Sequence, residues 1–200
     1  MPRLARLDIA GILQHVIVRG IEQRDIFNDD RDRQLFADRF FSLLSETGVR
    51  CYAWSLLSNH FHLLLMPTST PLSHFMRRLL TGYAVSFNRR NKRSGHLFQN
   101  RYKSIVCEEE PYLLELVRYI HLNPLRAGAV ASLEELDLYR WSGHSVLIGN
   151  QLCEVQETGA ILERFGKRTT TARLNYRQFV SEGIKAGNRD DLVGGGLKRS

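Results

Sequence analysis

Residues 49–66 read VRCYAWSLLSNHFHLLLM. Two apolar runs of strand length, 49–57 and His60–Met66, flank Ser58-Asn59. Asn tolerates the positive φ of a tight turn, so the stretch predicts an antiparallel hairpin. Upstream, residues 30–46 carry Leu35, Phe36, Phe40, Leu43 and Leu44 at helical spacing and stop at Gly48. Before that, Leu13–Arg19 is β-branched and strand-like, preceded by Gly11. Downstream, Pro71 opens a helix over 71–90 with a stripe of Leu72, Phe75, Met76, Leu79, Leu80, Tyr83 and Phe87. A strand is expected over 101–107, then a helix over 111–123 that Pro124 should end. Beyond Leu133 the chain reads as helical, closing with a helix over 171–184 and a frayed, glycine-containing tail. The order strand, helix, strand, strand, helix, strand, helix predicts an α+β, ferredoxin-like antiparallel sheet with helices on one face. Its other face is expected to stay open for a ligand.

The 200 residues are 43% hydrophobic and 24% charged, the profile of a folded chain. Lys and Arg outnumber Asp and Glu by 28 to 21. The excess is concentrated: no acidic residue lies between Glu46 and Glu108, while that interval holds Arg50, Arg77, Arg78, Arg89, Arg90, Lys92, Arg93, Arg101 and Lys103. Such a region favours a polyanionic partner. The cysteines (Cys51, Cys107, Cys153) are odd in number and widely spaced, which argues against a disulfide framework and for a reduced, cytoplasmic compartment. No apolar run is long enough to span a bilayer, and MPRLARLDIAG lacks the core of a signal peptide, so membrane and secreted classes are not expected.

Three groups of residues carry candidate chemistry. His60 and His62 alternate onto one strand face, ~7 Å apart, within reach of one divalent ion. Phe61 and Leu63 point the other way. On its own the pair reads equally as two half-exposed histidines on a sheet, and it supplies only two ligands. In the 111–123 helix, Glu115, Tyr119 and Asn123 recur every four residues, away from the apolar face of Leu113, Leu114, Leu116, Val117 and Ile120. A solvated tyrosine on an amphipathic helix explains this spacing too. Tyr83, a rival tyrosine, lies on an apolar stripe and reads as core. Finally, residues 87–103, FNRRNKRSGHLFQNRYK, mix cations with Phe87, Phe98, Tyr102 and His96. Cations neutralise phosphates and aromatics stack on unpaired bases; a solvated basic turn over core aromatics is the alternative.

With these blocks in hand, a resemblance emerges. LSNHFHLLLMPT (57–68), LLTGYAVSFNRRNKRSGHLFQNRYKSIV (79–106) and YLLELVRYIHLNPLRAG (112–128) resemble the REP-associated tyrosine transposases, HUH endonucleases related to single-strand insertion-sequence transposases. The likeness runs over about residues 15–149. The segment RFGKRTTTARLNYRQFVSEGI (164–184), with the closing VGGGLKRS, is similar to a C-terminal extension in one branch of the family. The resemblance implies a catalytic domain over 1–150 and a helical extension over 151–200. It implies Tyr119, not Tyr83, as nucleophile, and His60, His62 and Asn123 as ligands of Mg²⁺ or Mn²⁺. It also implies action on hairpin-forming repeats in single-stranded DNA, through a 5′-phosphotyrosine and a free 3′-hydroxyl. DNA contacts are expected from Arg77, Arg78, Arg89, Arg90, Lys92, Arg93, Arg101 and Lys103, with no small-molecule cofactor and a nucleoid-associated monomer rather than a homodimer. The competing readings are a domesticated, non-catalytic binder of structured single-stranded DNA or RNA, and a metal-dependent phosphoesterase with a water nucleophile.

Overall fold

A computed structural model describes residues 9–107 and 110–185. The elements are β1 (Leu13–Arg19), α1 (Asp30–Thr47), β2 (Arg50–Leu56), β3 (His60–Met66), α2 (Leu72–Arg90), β4 (Lys103–Cys107), α3 (Glu110–Arg126), α4 (Leu133–Leu138), α5 (Gly143–Leu147), α6 (Thr158–Leu162) and α7 (Thr169–Lys185). The strands form one antiparallel sheet in the order β2-β3-β1-β4. Each helical crossover returns the chain in the same direction and the β2–β3 hairpin reverses it, so neighbours in this order must be antiparallel. This is the ferredoxin-like α+β arrangement. The glycine-containing tail lies outside the described residues.

The β2–β3 hairpin forms where expected, by a different turn. Leu57 N donates to His60 O at 2.9 Å, and Asn59 does not adopt positive φ. Its side chain is used instead: Nδ2 donates to Gln23 O at 3.2 Å and Oδ1 meets His60 Nδ1 at 2.7 Å. A bulge between Cys51 and Ala53 changes which face β2 residues present. Cys51 and Trp54 join one core, while Tyr52 and Ala53 join the other.

The first core lies between the sheet and helices α1 and α2. Phe36 and Phe40 from α1, with Phe75, Leu79 and Tyr83 from α2, pack on Val16, Val18, Phe61 and Leu63. Leu35, read as part of the α1 stripe, is 38% exposed at its edge. Asp29 caps α1 by accepting from Asp32 N at 2.9 Å. Asp32 is fully buried and satisfied by Asn28 N at 3.0 Å and by the Arg90 guanidinium, which ties the start of α1 to the end of α2.

The opposite face is not open. Helix α3 lies across it, packing Leu113, Leu116, Val117 and Ile120 on Leu13, Tyr52, Ala53 and Leu64. The alternation explains why: His15, Ile17, Leu64 and Met66 share this face, and three apolar side chains among them demand a cover. Tyr176 and Val180 of α7 join the same core. Helix α3 also runs past Pro124 to Arg126. A proline near a C-terminus forfeits one intrahelical bond, and the stop comes from Gly128. Its φ is 70°, with Gly128 N donating to Leu125 O at 3.1 Å and Ala129 N to Pro124 O at 2.8 Å.

Candidate active site

Strand β3 carries His60 and His62 onto the α3 side of the sheet, and α3 brings Tyr119 down beside them. The Tyr119 ring meets the His62 ring edge-on at 5.9 Å between centroids. The His60 and His62 rings are 5.2 Å apart. His62 is almost fully buried, Tyr119 is 9% exposed and Asn123 8% exposed. The stripe Tyr119–Asn123 therefore faces the sheet rim rather than solvent. Asn123 Nδ2 donates to Tyr119 O at 2.9 Å, which leaves its Oδ1 as the atom able to act as a ligand. Glu115, one turn before Tyr119, forms an ion pair with Arg118 at 2.6 Å.

Four neighbours of the site were not singled out from sequence. His15 on β1 stacks on His62 with centroids 5.2 Å apart, its Nε2 is 2.9 Å from His62 Nδ1, and its ring meets Tyr119 at 5.8 Å. The Arg126 guanidinium sits over the Tyr119 ring at 5.3 Å. Ser55 faces His62 directly across the β2–β3 ladder, and its buried Oγ has no hydrogen-bond partner among the described residues. Arg19 pairs with His60 across the β1–β3 ladder. The available signal was a polar residue inside an apolar strand, His15 in LQHVIVR and Ser55 in RCYAWSL; the pairing itself needs the register.

The histidines are suited to bind a metal ion as neutral donors. Burial, and secondarily the Arg19 charge, pushes the His60 imidazole down to about 4. Burial holds His62 well below the ordinary histidine range, reinforced by the charges of His15, His60 and Arg19. Asn59 Oδ1 can only accept, so His60 Nδ1 bears the proton and Nε2 the lone pair. In the tautomer where His62 Nδ1 donates to His15 Nε2, His62 Nε2 is likewise the free donor atom. The unpartnered Ser55 hydroxyl beside them leaves hydrogen-bonding capacity for a bound ligand or water. Among the described residues no three His, Cys, Asp or Glu side chains cluster around one point. His60 and His62 thus offer two imidazole donors on one sheet face. A cleft of about 860 Å³ opens beside His60, between the β2–β3 turn, Ala127–Ala129 and Tyr139–Trp141.

Tyr83 is core: it is fully buried and donates to Ile26 O at 2.5 Å. The predicted basic residues differ in what they meet. Arg78 is held by Glu46 and Arg90 by Asp29 and Asp32, so these two guanidiniums brace α1 against α2. Arg93 donates to His96 O at 3.2 Å. Arg77, Arg89, Lys92, Arg101 and Lys103 are exposed. Of the expected cations, the register puts Lys103 on the His62 face, through Ile17 between them.

A four-stranded antiparallel sheet that turns a histidine pair toward a tyrosine on its covering helix defines the architectural class. The chain belongs to the family described as "Transposase IS200 like", which it matches over residues 9–123. Among solved structures it is similar to a REP-associated tyrosine transposase bound to a REP hairpin, at 16% identity and a TM-score of 0.61, covering 84% of this chain and 98% of that one. A putative transposase from Deinococcus radiodurans is 17% identical with a TM-score of 0.42, covering 60% of this chain and 95% of that one. No curated protein matches the chain. Among the described residues, no helix is long and apolar enough to cross a membrane.

Proposed function

We propose that this protein is a single-strand DNA endonuclease and strand transferase in which Tyr119 is the nucleophile. One observation carries the reading: a tyrosine on α3 is packed edge-on against His62 of a neutral histidine pair. Membership of the IS200-like transposase family supports DNA as the substrate. The REP hairpin bound by the similar solved protein supports hairpin-forming repeats as the ligand class.

In this reaction the Tyr119 oxygen attacks phosphorus in line with the 3′-oxygen of the preceding nucleotide. The P–O3′ bond breaks, the phenol gives up its proton and the departing 3′-oxygen takes one up. The products are a 5′-phosphotyrosine and a free 3′-hydroxyl, and the phosphoester is kept for rejoining. His60, His62 and Asn123 would hold Mg²⁺ or Mn²⁺, with imidazole donors favouring Mn²⁺. Such a cation would supply charge stabilisation to the phosphate. The stacked His15 and the Asn59 acceptor keep both imidazoles in place, and α3 holds the phenol against them.

The test is incubation with labelled single-stranded DNA carrying the hairpin repeats that flank the gene, with Mn²⁺ or Mg²⁺. A denaturant-resistant protein–DNA adduct is expected, absent in Tyr119→Phe, whose DNA affinity stays within about 3-fold of the parent. Tight binding without an adduct in either metal would assign the protein to non-catalytic binding. Metal-dependent cleavage that survives Tyr119→Phe would assign it to hydrolysis by water.

A further inference from the structure

Arg19 is the last residue of β1. Alternation along β1 puts His15, Ile17 and Arg19 on the same face as His60 and His62, and the ladder pairs Ile17 with His62 and Arg19 with His60. His15 and Ile17 are buried, whereas Arg19 is exposed. Its backbone is fixed: Gln99 N donates to Arg19 O at 3.0 Å and the adjacent Gly20 bridges Phe98. Arg24, Arg33, Arg50, Arg78, Arg90, Arg118 and Arg177 each face a carboxylate. Arg19 has no carboxylate partner among the described residues.

An exposed guanidinium paired across the ladder with His60, on the same sheet face as His62, is placed to receive an anion at the histidine pair. In a protein that handles DNA, the anion of matching size and charge is a backbone phosphate. We propose that Arg19 contacts the phosphate attacked by Tyr119, donating its N–H groups to a non-bridging oxygen. This rests on the function proposed above and adds a substrate-binding residue to it. The planar fork of arginine suits two phosphate oxygens, so lysine is expected to substitute in part only.

The experiment separates this contact from the tyrosine chemistry. Binding of a fluorescent hairpin oligonucleotide with a single-stranded flank is measured by anisotropy for Tyr119→Phe and for Tyr119→Phe with Arg19→Gln. One methylphosphonate linkage at a time replaces a phosphate in the flank. Arg19→Gln is expected to weaken binding of the all-phosphate strand about 10-fold. That loss should shrink below about 2-fold when one particular linkage is neutral, and the same linkage should be the site of the adduct in the parent protein. Arg19→Lys should recover part of the loss. No loss, or a loss equal at every linkage, overturns the proposal. A linkage-specific loss in a protein that forms no adduct keeps the Arg19 contact and removes the tyrosine mechanism. Arg19 is exposed, and matched thermal unfolding of the variants will establish that folding is unaffected.

Discussion

The side chains around the histidine pair decide what each imidazole can do. His60 faces an obligate acceptor, Asn59 Oδ1, itself oriented by the bond from Asn59 Nδ2 to Gln23 O. Removing that acceptor frees the ring to rotate and to exchange tautomers. Asn59→Ala is therefore expected to lower metal-stimulated cleavage about 10- to 100-fold, with a higher metal concentration needed for half-maximal rate. Asn59→Asp keeps an acceptor and should retain more activity. Equal rates for Asn59→Ala and the parent across a Mn²⁺ titration would discard this role. Spacing put His60 with His62 on one strand face and Tyr119 with Asn123 on one helix face, while their proposed roles come from the family resemblance. His15, Ser55, Arg19 and Arg126 were not legible as neighbours, because strand register and helix docking are long-range facts.

Secondary structure followed local chemistry except where a tertiary partner or a second signal competed. The turn at Ser58-Asn59 was expected to use the left-handed tolerance of Asn, but the side chain has a better use in holding Gln23 and His60. Pro124 was expected to end α3, yet the stop is the left-handed Gly128, whose N–H donates to Leu125 O while Ala129 N donates to Pro124 O. Gly128→Ala should accordingly cost about 1 kcal/mol, read as a lower unfolding midpoint in urea with an unchanged slope. A larger cost in Pro124→Ala than in Gly128→Ala would reverse that assignment. Helix α7 locks onto the back of α3. Tyr176 Oη lies 2.6 Å from His121 Nδ1, and Arg118 packs over the Phe179 ring at 4.2 Å. The segment after residue 150 thus helps fix the helix that carries Tyr119.

Across the whole molecule, buried histidines couple stability to pH. Burial holds His62 and His121 well below the ordinary histidine range, so both are neutral in the fold. Below about pH 6.5 the unfolded chain binds protons that the folded chain refuses, and stability falls as pH drops. The slope approaches about 1.4 kcal/mol per pH unit for each histidine. Unfolding temperature in metal-free buffer should be level above pH 7 and decline steadily to pH 5. A profile flat over that range would show that the two rings are solvated. The depressed carboxylates Asp137 and Glu157 add their losses only in more acid solution.

Periodicity and punctuation in the chain were sufficient for the element order, the α+β class and the shared face of His60 and His62. Each depends on contacts between residues a few positions apart or on the two-residue alternation of a strand. The tertiary structure alone decided that α3 closes the second sheet face, that Arg78 and Arg90 brace helices, and that His15, Arg19 and Ser55 border the histidine pair. Those outcomes come from packing apolar area and satisfying buried charge across distant segments, which no local pattern encodes.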